Sequence, residues 1–188
     1  MHYDQLLCSG MSRGEQGAVP EVLLVGASAS GKTLLVNRLK ALCKPGTEVD
    51  YDPKPTVGVE FDQFTFDKSQ FMVREVGSAM MSSWPSYTSS CCALLYAVNA
   101  SDRCEVGNSV AGLMRCLRDL PSDTPLIIAF THMDVPEIIP KWERHMLFRL
   151  DELEASTRPV TLLEISAMTG DGINTLAQTL SLTVTRIR

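Results

Sequence analysis

Two kinds of hydrophobic pattern alternate along this chain from about Glu21 onward. Short, nearly continuous apolar runs, "EVLLVG", "CCALLYAV", "PLIIAF" and "VTLLEI", read as strands buried on both faces. Between and after them, apolar residues recur every three or four positions: Leu35, Leu39, Leu42; Val106, Val110, Leu113, Leu117, Leu120; Trp142, Met146, Leu150, Leu153; and Ile173, Leu176, Leu180, Val184. That spacing predicts amphipathic helices. Two further runs, "VEFDQFTF" and "QFMVREV", meet across "DKS" and alternate like a hairpin, which predicts one antiparallel edge strand. The sum is an α/β fold: a six-stranded, mostly parallel sheet with helices on both faces. Residues 1 to 19 carry no such period and read as a flexible leader, leaving residues 20–188 as one domain.

Composition narrows the function classes. The chain has 188 residues, 45% hydrophobic and 21% charged, the profile of a domain with a full core. A formal net charge of -5 argues against nucleic acid as the main partner, because backbone phosphates call for a concentrated basic face. No apolar run is long enough to span a membrane, His2 follows the first Met where a myristoylated chain needs Gly, and no Cys stands near the end, so neither a span nor a lipid anchor is expected. The six cysteines include no Cys-x-x-Cys pair, and no signal peptide precedes them, which points to a reducing, cytoplasmic setting. Cys91 and Cys92 open an apolar run and read as small core residues rather than metal ligands.

The chemistry begins at "GASASGKT", residues 26–33. It fits the phosphate-binding loop Gly-x-x-x-x-Gly-Lys-Thr and stands between a strand and a helix, the context the pattern requires. Gly26 and Gly31 permit the tight turn, and the backbone N–H groups of Ser28, Ala29 and Ser30 are expected to point at phosphate oxygens at the positive end of the helix. Lys32 is expected to reach the outer phosphates and Thr33 to hold Mg²⁺. The fold is therefore expected to be that of a P-loop nucleotide-binding protein.

Downstream segments in the right order after the right strands make the chain resemble the Ras-like small GTPases, and within them the Arf and Arf-like branch. "KPTVGVEF" resembles the first switch of that branch and "REVGSA" its second; "WPSY" resembles its Trp-x-x-Tyr, and "LLYAVNASDR" the strand and loop next in order. "THMD" after "PLIIAF" stands where the family has Asn-Lys-x-Asp, and "ISAMTGDGI" where it has the Ser-Ala segment beside guanine. The resemblance covers about Glu21 to Arg186. It implies GTP or GDP with Mg²⁺ as ligands, guanine contacts from Thr131, His132, Asp134, Ser166, Ala167 and Met168, phosphate contacts from Gly77 and Ser78, and metal contacts from Thr33, Thr56 and, through water, Glu75. It also implies a monomer that works through protein effectors and exchange or activating proteins, in vesicular or ciliary traffic.

Several positions depart from the family pattern. Glu75 replaces Asp, Ser78 replaces a glycine whose N–H meets the γ-phosphate, and Ala79 replaces the Gln that positions the attacking water, so no catalytic residue is assigned and hydrolysis is expected to be very slow. Thr131 and His132 replace Asn and Lys, while Asp134, which can accept from N1–H and N2–H₂ of guanine, is kept. Two readings stand side by side: a nucleotide-driven switch, favoured by Lys32, Thr33 and Thr56, and a scaffold without nucleotide-dependent switching, favoured by Ser78, Ala79 and Thr131.

Overall fold

The computed structural model describes residues 19 to 187, so the expected leader lies outside it but for its last residue. Strands β1 (Glu21–Gly26), β2 (Val59–Phe66), β3 (Ser69–Val76), β4 (Ala93–Asn99), β5 (Leu126–Thr131) and β6 (Val160–Glu164) form one sheet in the order β2-β3-β1-β4-β5-β6. Only β2 is antiparallel, paired with β3 from Val59 opposite Val76 to Phe66 opposite Ser69. The turn between them is two residues, Asp67 and Lys68, with φ of 45° and 65°. Two successive left-handed residues make the hairpin turn whose twist matches the strands, so Ser69 belongs to β3 rather than to the turn.

Both faces of the sheet are covered at β1, β4 and β5, which is why these strands read as unbroken apolar runs, whereas the edge strand β2 is largely exposed. Along β1, Val22 and Leu24 enter a core with Leu35, Val36 and Leu39 of helix α1 (Lys32–Cys43) and Leu176, Leu180 and Val184 of the C-terminal helix. Leu23 and Val25 point the other way, to Trp84, Tyr96, Leu113 and Cys116. Short helix α2 (Pro85–Thr88) and long helix α3 (Val106–Asp119) close that second face. Burial pushes the Cys91 and Cys116 thiols up to about 12, so they stay protonated and serve as packing atoms.

One predicted helix is corrected. The stripe Trp142, Met146, Leu150, Leu153 is not one helix face: α4 (Lys141–Leu147) and α5 (Leu150–Glu154) are separated by a break at Arg149, whose φ is 50°. Trp142 and Met146 are 63% and 69% exposed, while Arg144 and Phe148 are buried. Arg144 is held in the interior by stacking over Phe130 at 4.5 Å and donating to Glu164 Oε1 at 2.6 Å. Its guanidinium therefore takes the core-facing place that the apolar spacing predicts for Trp142 and Met146. The last helix, α6 (Ile173–Ile187), follows the predicted stripe, with Ile173, Leu176, Leu180 and Val184 all buried.

Candidate functional site

The carboxyl ends of β1, β3, β4 and β5 converge on one edge of the sheet, and the loops leaving them build the site. At the end of β1, the chain must turn beneath β4: a Cβ on Gly26 would stand 2.3 Å from Ala97 O, so only glycine fits. The loop from Ala27 to Gly31 then climbs to α1, with Ala29 at φ 52° and Gly31 at φ 75°. Outside bonds fix it: Asn99 Nδ2 donates to Ala29 O at 3.2 Å and Thr131 Oγ1 to Ser30 O at 2.9 Å. Lys32 is 7% exposed and donates to Gly26 O at 2.9 Å, Ala27 O at 3.0 Å and Ser30 Oγ at 3.3 Å. Burial pulls its ammonium down to about 8, with the Glu75 carboxylate opposing that shift. A buried cation held by loop carbonyls is poised for an incoming anion.

Next to it, three expected metal-site residues from three separate parts of the chain meet. Thr33 Oγ1 donates to Glu75 Oε1 at 2.7 Å, Thr56 Oγ1 donates to the same oxygen at 2.9 Å, and the two hydroxyl oxygens are 3.1 Å apart. Neighbouring ligands of an octahedral Mg²⁺ stand about 2.9 Å apart, given bonds of about 2.0–2.1 Å. The threonine pair thus fits a small hard cation, with Glu75 orienting both hydroxyls. Among the described residues no group of three His, Cys, Asp or Glu offers a rival metal site.

The second loop, after β3, is built differently. Gly77 N–H donates to Gly58 O at 2.9 Å and its carbonyl accepts from Trp84 Nε1 at 3.2 Å. A Cβ on Gly77 would lie 2.3 Å from Thr56 O. Gly77 lines the phosphate-side cavity, but its polar backbone is engaged in joining the two loops. Ser78 opens a 3₁₀ helix, Ser78–Ser83, and is half-buried, while Ala79 is exposed.

At the far end of the site, Thr131 is 1% exposed and its hydroxyl also lies 3.1 Å from Val98 O and 2.9 Å from His132 Nδ1. It braces the phosphate loop from within the wall. His132 has φ 60°, a conformation histidine tolerates better than most residues. Burial lowers its pKa, the Asp134 and Asp102 carboxylates opposing, so the ring is neutral at neutral pH. Asp134 is exposed, and the hydrogen bond from Ser166 Oγ at 2.5 Å holds its carboxyl below the usual range. Ala167 is buried and Met168 is 50% exposed, so the Met168 side chain covers an opening rather than filling a core.

Two adjoining cavities result. One of 370 Å³ is lined by Ser28 to Leu34, Asp52 to Thr56, Glu75, Gly77, Ser78 and His132. A smaller one of 70 Å³ is lined by Gly31, Leu34, Thr131, His132, Asp134, Ala167 and Met168. Every expected site residue except Gly26 and Ser166 lines one of them; those two stand behind the wall, under the loop and behind Asp134. A larger cavity of 610 Å³ beside β6 and α4 has neither a phosphate loop nor an oxygen triad. A phosphate-cradling loop and an oxygen cluster at one end, adjoining a smaller cavity lined by an anchored carboxylate, is the arrangement of a nucleoside-phosphate site.

Residues 12–184 match the model of the ADP-ribosylation factor family. The chain belongs to that family. It is therefore a GTP-binding small GTPase of the Arf-like type. ADP-ribosylation factor-like protein 16 of Homo sapiens is 31% identical over 175 residues, covering 87% of this chain and 88% of that protein. ADP-ribosylation factor-like protein 1 of Drosophila melanogaster is 26% identical over 166 residues, covering 87% and 88%. Among solved structures, the Arl6 small GTPase of Trypanosoma brucei, with the nucleotide analogue GppNp bound, superposes with a TM-score of 0.70 over 89% of this chain and 98% of that one. At 21% identity that likeness establishes the P-loop GTPase fold. No described helix is long and apolar enough to cross a membrane.

Two residues that support the site of this Arf-like chain carry no sequence signal. Asn99 pins the phosphate loop from β4, and Arg38 of α1 donates to the carbonyls of Ala167 and Met168. The partners are separated by 70 residues for Asn99 and by about 130 for Arg38, and no local spacing marks either bond.

Proposed function

We propose that this Arf-like protein is a guanine-nucleotide switch whose GTP-loaded form binds protein effectors and whose intrinsic hydrolysis is very slow. The observation that carries the reading is the convergence of Thr33, Thr56 and Glu75 beside the buried Lys32 ammonium. In this reading the backbone of Ser28 to Gly31 and Lys32 take the phosphates, and Gly77 and Ser78 close over the outer one. Thr33 and Thr56 hold Mg²⁺, with Glu75 acting through water. The metal would neutralise charge between the outer phosphates.

The base lies between His132 and Met168, with Asp134 accepting from guanine. Asp134 is kept ionised by Ser166, so it remains an acceptor throughout the neutral range. An adenine offers no pair of donors to such a carboxylate, which supports guanine preference. Nothing at Ala79 can orient a water, and neither Ser78 nor Met80 supplies a group of the necessary reach, which supports slow turnover unless a partner brings the water-positioning group as well as an arginine. The family resemblance further supports a place in vesicular or ciliary traffic, reached through effectors from the cytoplasm.

A second reading has its own observation. Glu75 ties Thr56 to Thr33, and Gly77 ties β3 to Gly58, through bonds between protein atoms. Such bonds favour a scaffold in which the first switch stays closed whichever nucleotide is bound. Hydrogen exchange on the protein loaded with GDP and with a non-hydrolysable GTP analogue separates the two. The switch reading expects a difference concentrated between Asp52 and Trp84; equal protection there establishes the scaffold.

A further inference from the structure

We infer that Arg38 is the positioning residue for base discrimination: a guanidinium fork that fixes the base-side loop and ties it to the segment leading into the first switch. The inference rests on the proposed binding of guanine at Asp134. Arg38 lies six residues beyond Lys32 on α1, so one helix carries the phosphate cation at its start and the fork on its flank. Its Nε donates to Ala167 O at 2.5 Å and its Nη2 to Met168 O. Two parallel donors on one planar group fix orientation as well as distance, which a single ammonium cannot do.

The effect on the loop comes from peptide geometry. Ser166 O accepts from Gly170 N at 2.8 Å, so three successive carbonyls, of Ser166, Ala167 and Met168, are all engaged. In a planar trans peptide the N–H lies opposite the C=O. The N–H directions of Ala167, Met168 and Thr169 are thereby set, and Thr169 N–H donates to Ser166 Oγ at 3.0 Å. That same Ser166 hydroxyl donates to Asp134 Oδ1 at 2.5 Å. Arg38 thus acts on the acceptor through the loop: fork to carbonyls, carbonyls to Ser166, Ser166 to the Asp134 carboxylate.

The other face of the guanidinium looks toward the first switch. Its Cζ sits 4.8 Å from the centroid of the Tyr51 ring, and the neighbouring Asn37 Nδ2 donates to Asp50 O at 3.2 Å. Tyr51 is 48% exposed, so the stack is at the surface and can open. A displacement of the Asp50–Tyr51 segment frees the guanidinium on one side, and the base-side loop then loses part of its support. Arg38 is the physical link by which movement before the first switch changes the hold on the base.

The test is a ratio, because loss of general stability lowers affinity for every nucleotide alike. Affinities for GDP and ADP, both with Mg²⁺, are measured on wild type, Arg38→Ala and Arg38→Gln, the last keeping the stem and one donor in a chain disturbed least. Arg38→Ala is expected to narrow the GDP-over-ADP preference by roughly tenfold or more, on the scale of a charge-assisted hydrogen bond, and Arg38→Gln by a smaller factor. Arg38→Lys, which reaches one carbonyl, is expected to recover part of it. Tyr51→Ala, which frees the guanidinium on one side only, is expected to narrow the ratio by less than Arg38→Ala does; an unchanged ratio there removes the link to the first switch. An unchanged ratio in Arg38→Ala and Arg38→Gln overturns the inference while leaving the guanine site standing. A wild type without preference for GDP over ADP overturns the site and the inference together.

Discussion

Two loops leave neighbouring strands at the same edge of the sheet, and they have fared differently. The loop after β1 keeps its glycines, lysine and threonine, and it is held by contacts with other elements: Gly26 beneath Ala97, Ser30 O by Thr131, Ala29 O by Asn99. The loop after β3 has Ser78 and Ala79 where the family pattern has Gly and Gln, and it winds into a 3₁₀ helix held mainly through Gly77 and Trp84. In the proposed reading the first grips phosphate by backbone geometry, which tolerates little change. In the family pattern the second supplies the chemistry that distinguishes a triphosphate from a diphosphate and cleaves it. On that reading binding and turnover are separable in this fold, and this chain keeps the residues expected for the first.

The largest break in that contrast comes from Lys32→Ala, which removes the one buried cation from the phosphate loop. We expect nucleotide affinity to fall by about 3 kcal/mol, roughly a hundredfold, with the fold intact by circular dichroism. Affinity unchanged within a factor of about three would place the phosphates elsewhere. Next, Gly77→Ala puts a Cβ 2.3 Å from Thr56 O. The expected cost is about 1–3 kcal/mol of stability, by analogy with forced overpacking. It should appear as a lower thermal midpoint and faster hydrogen exchange around Thr56; a silent substitution would mean that the two loops are not joined through this residue.

Ala79→Gln sharpens the comparison from the other side. Bound GTP in the wild type should decay more slowly than roughly 10⁻⁴ s⁻¹ in single turnover, and the added glutamine should raise that rate by less than about tenfold, because Ser78 still crowds the outer phosphate. A large gain would show that Ser78 is harmless. The smallest effect concerns His132. Its pKa is lowered by burial, so the folded state binds its proton less readily than the unfolded chain. Stability must then fall as pH drops through the ordinary histidine value of about 6.5. Urea midpoints measured from about pH 8 down to about pH 5 should decline more in wild type than in His132→Asn, which keeps a residue suited to positive φ. Parallel curves would contradict the assigned burial.

Much of this molecule is legible in its sequence. β1, β4, β5 and β6 are legible because their residues are mostly apolar, and β2 and β3 because apolar and polar residues alternate along much of their length. The phosphate loop is legible because its path needs glycine at Gly26, where the Ala97 carbonyl leaves no room for a Cβ, and at Gly31, where φ is 75°. The break at Arg149 is not, since a left-handed arginine carries none of the glycine or asparagine signals that mark a helix end. Nor is the burial of Arg144, which depends on a partner ring and carboxylate on β5 and β6. Thr131 reads as a lost asparagine, yet its short hydroxyl reaches Ser30 O and still braces the loop. Arg38 on α1 looks like any solvated helix charge until the base-side loop, remote in sequence, folds back onto it.

The central claim is that guanine nucleotide binds across the site from Lys32 and Thr33 at one end to Asp134 at the other. Titration of the protein with fluorescent GTP and ATP analogues, with Mg²⁺ present, tests it most directly. The account predicts saturable GTP binding well below millimolar, tighter than ATP, and weakened roughly a hundredfold in Lys32→Ala. No binding below millimolar, or ATP bound more tightly than GTP, would contradict it.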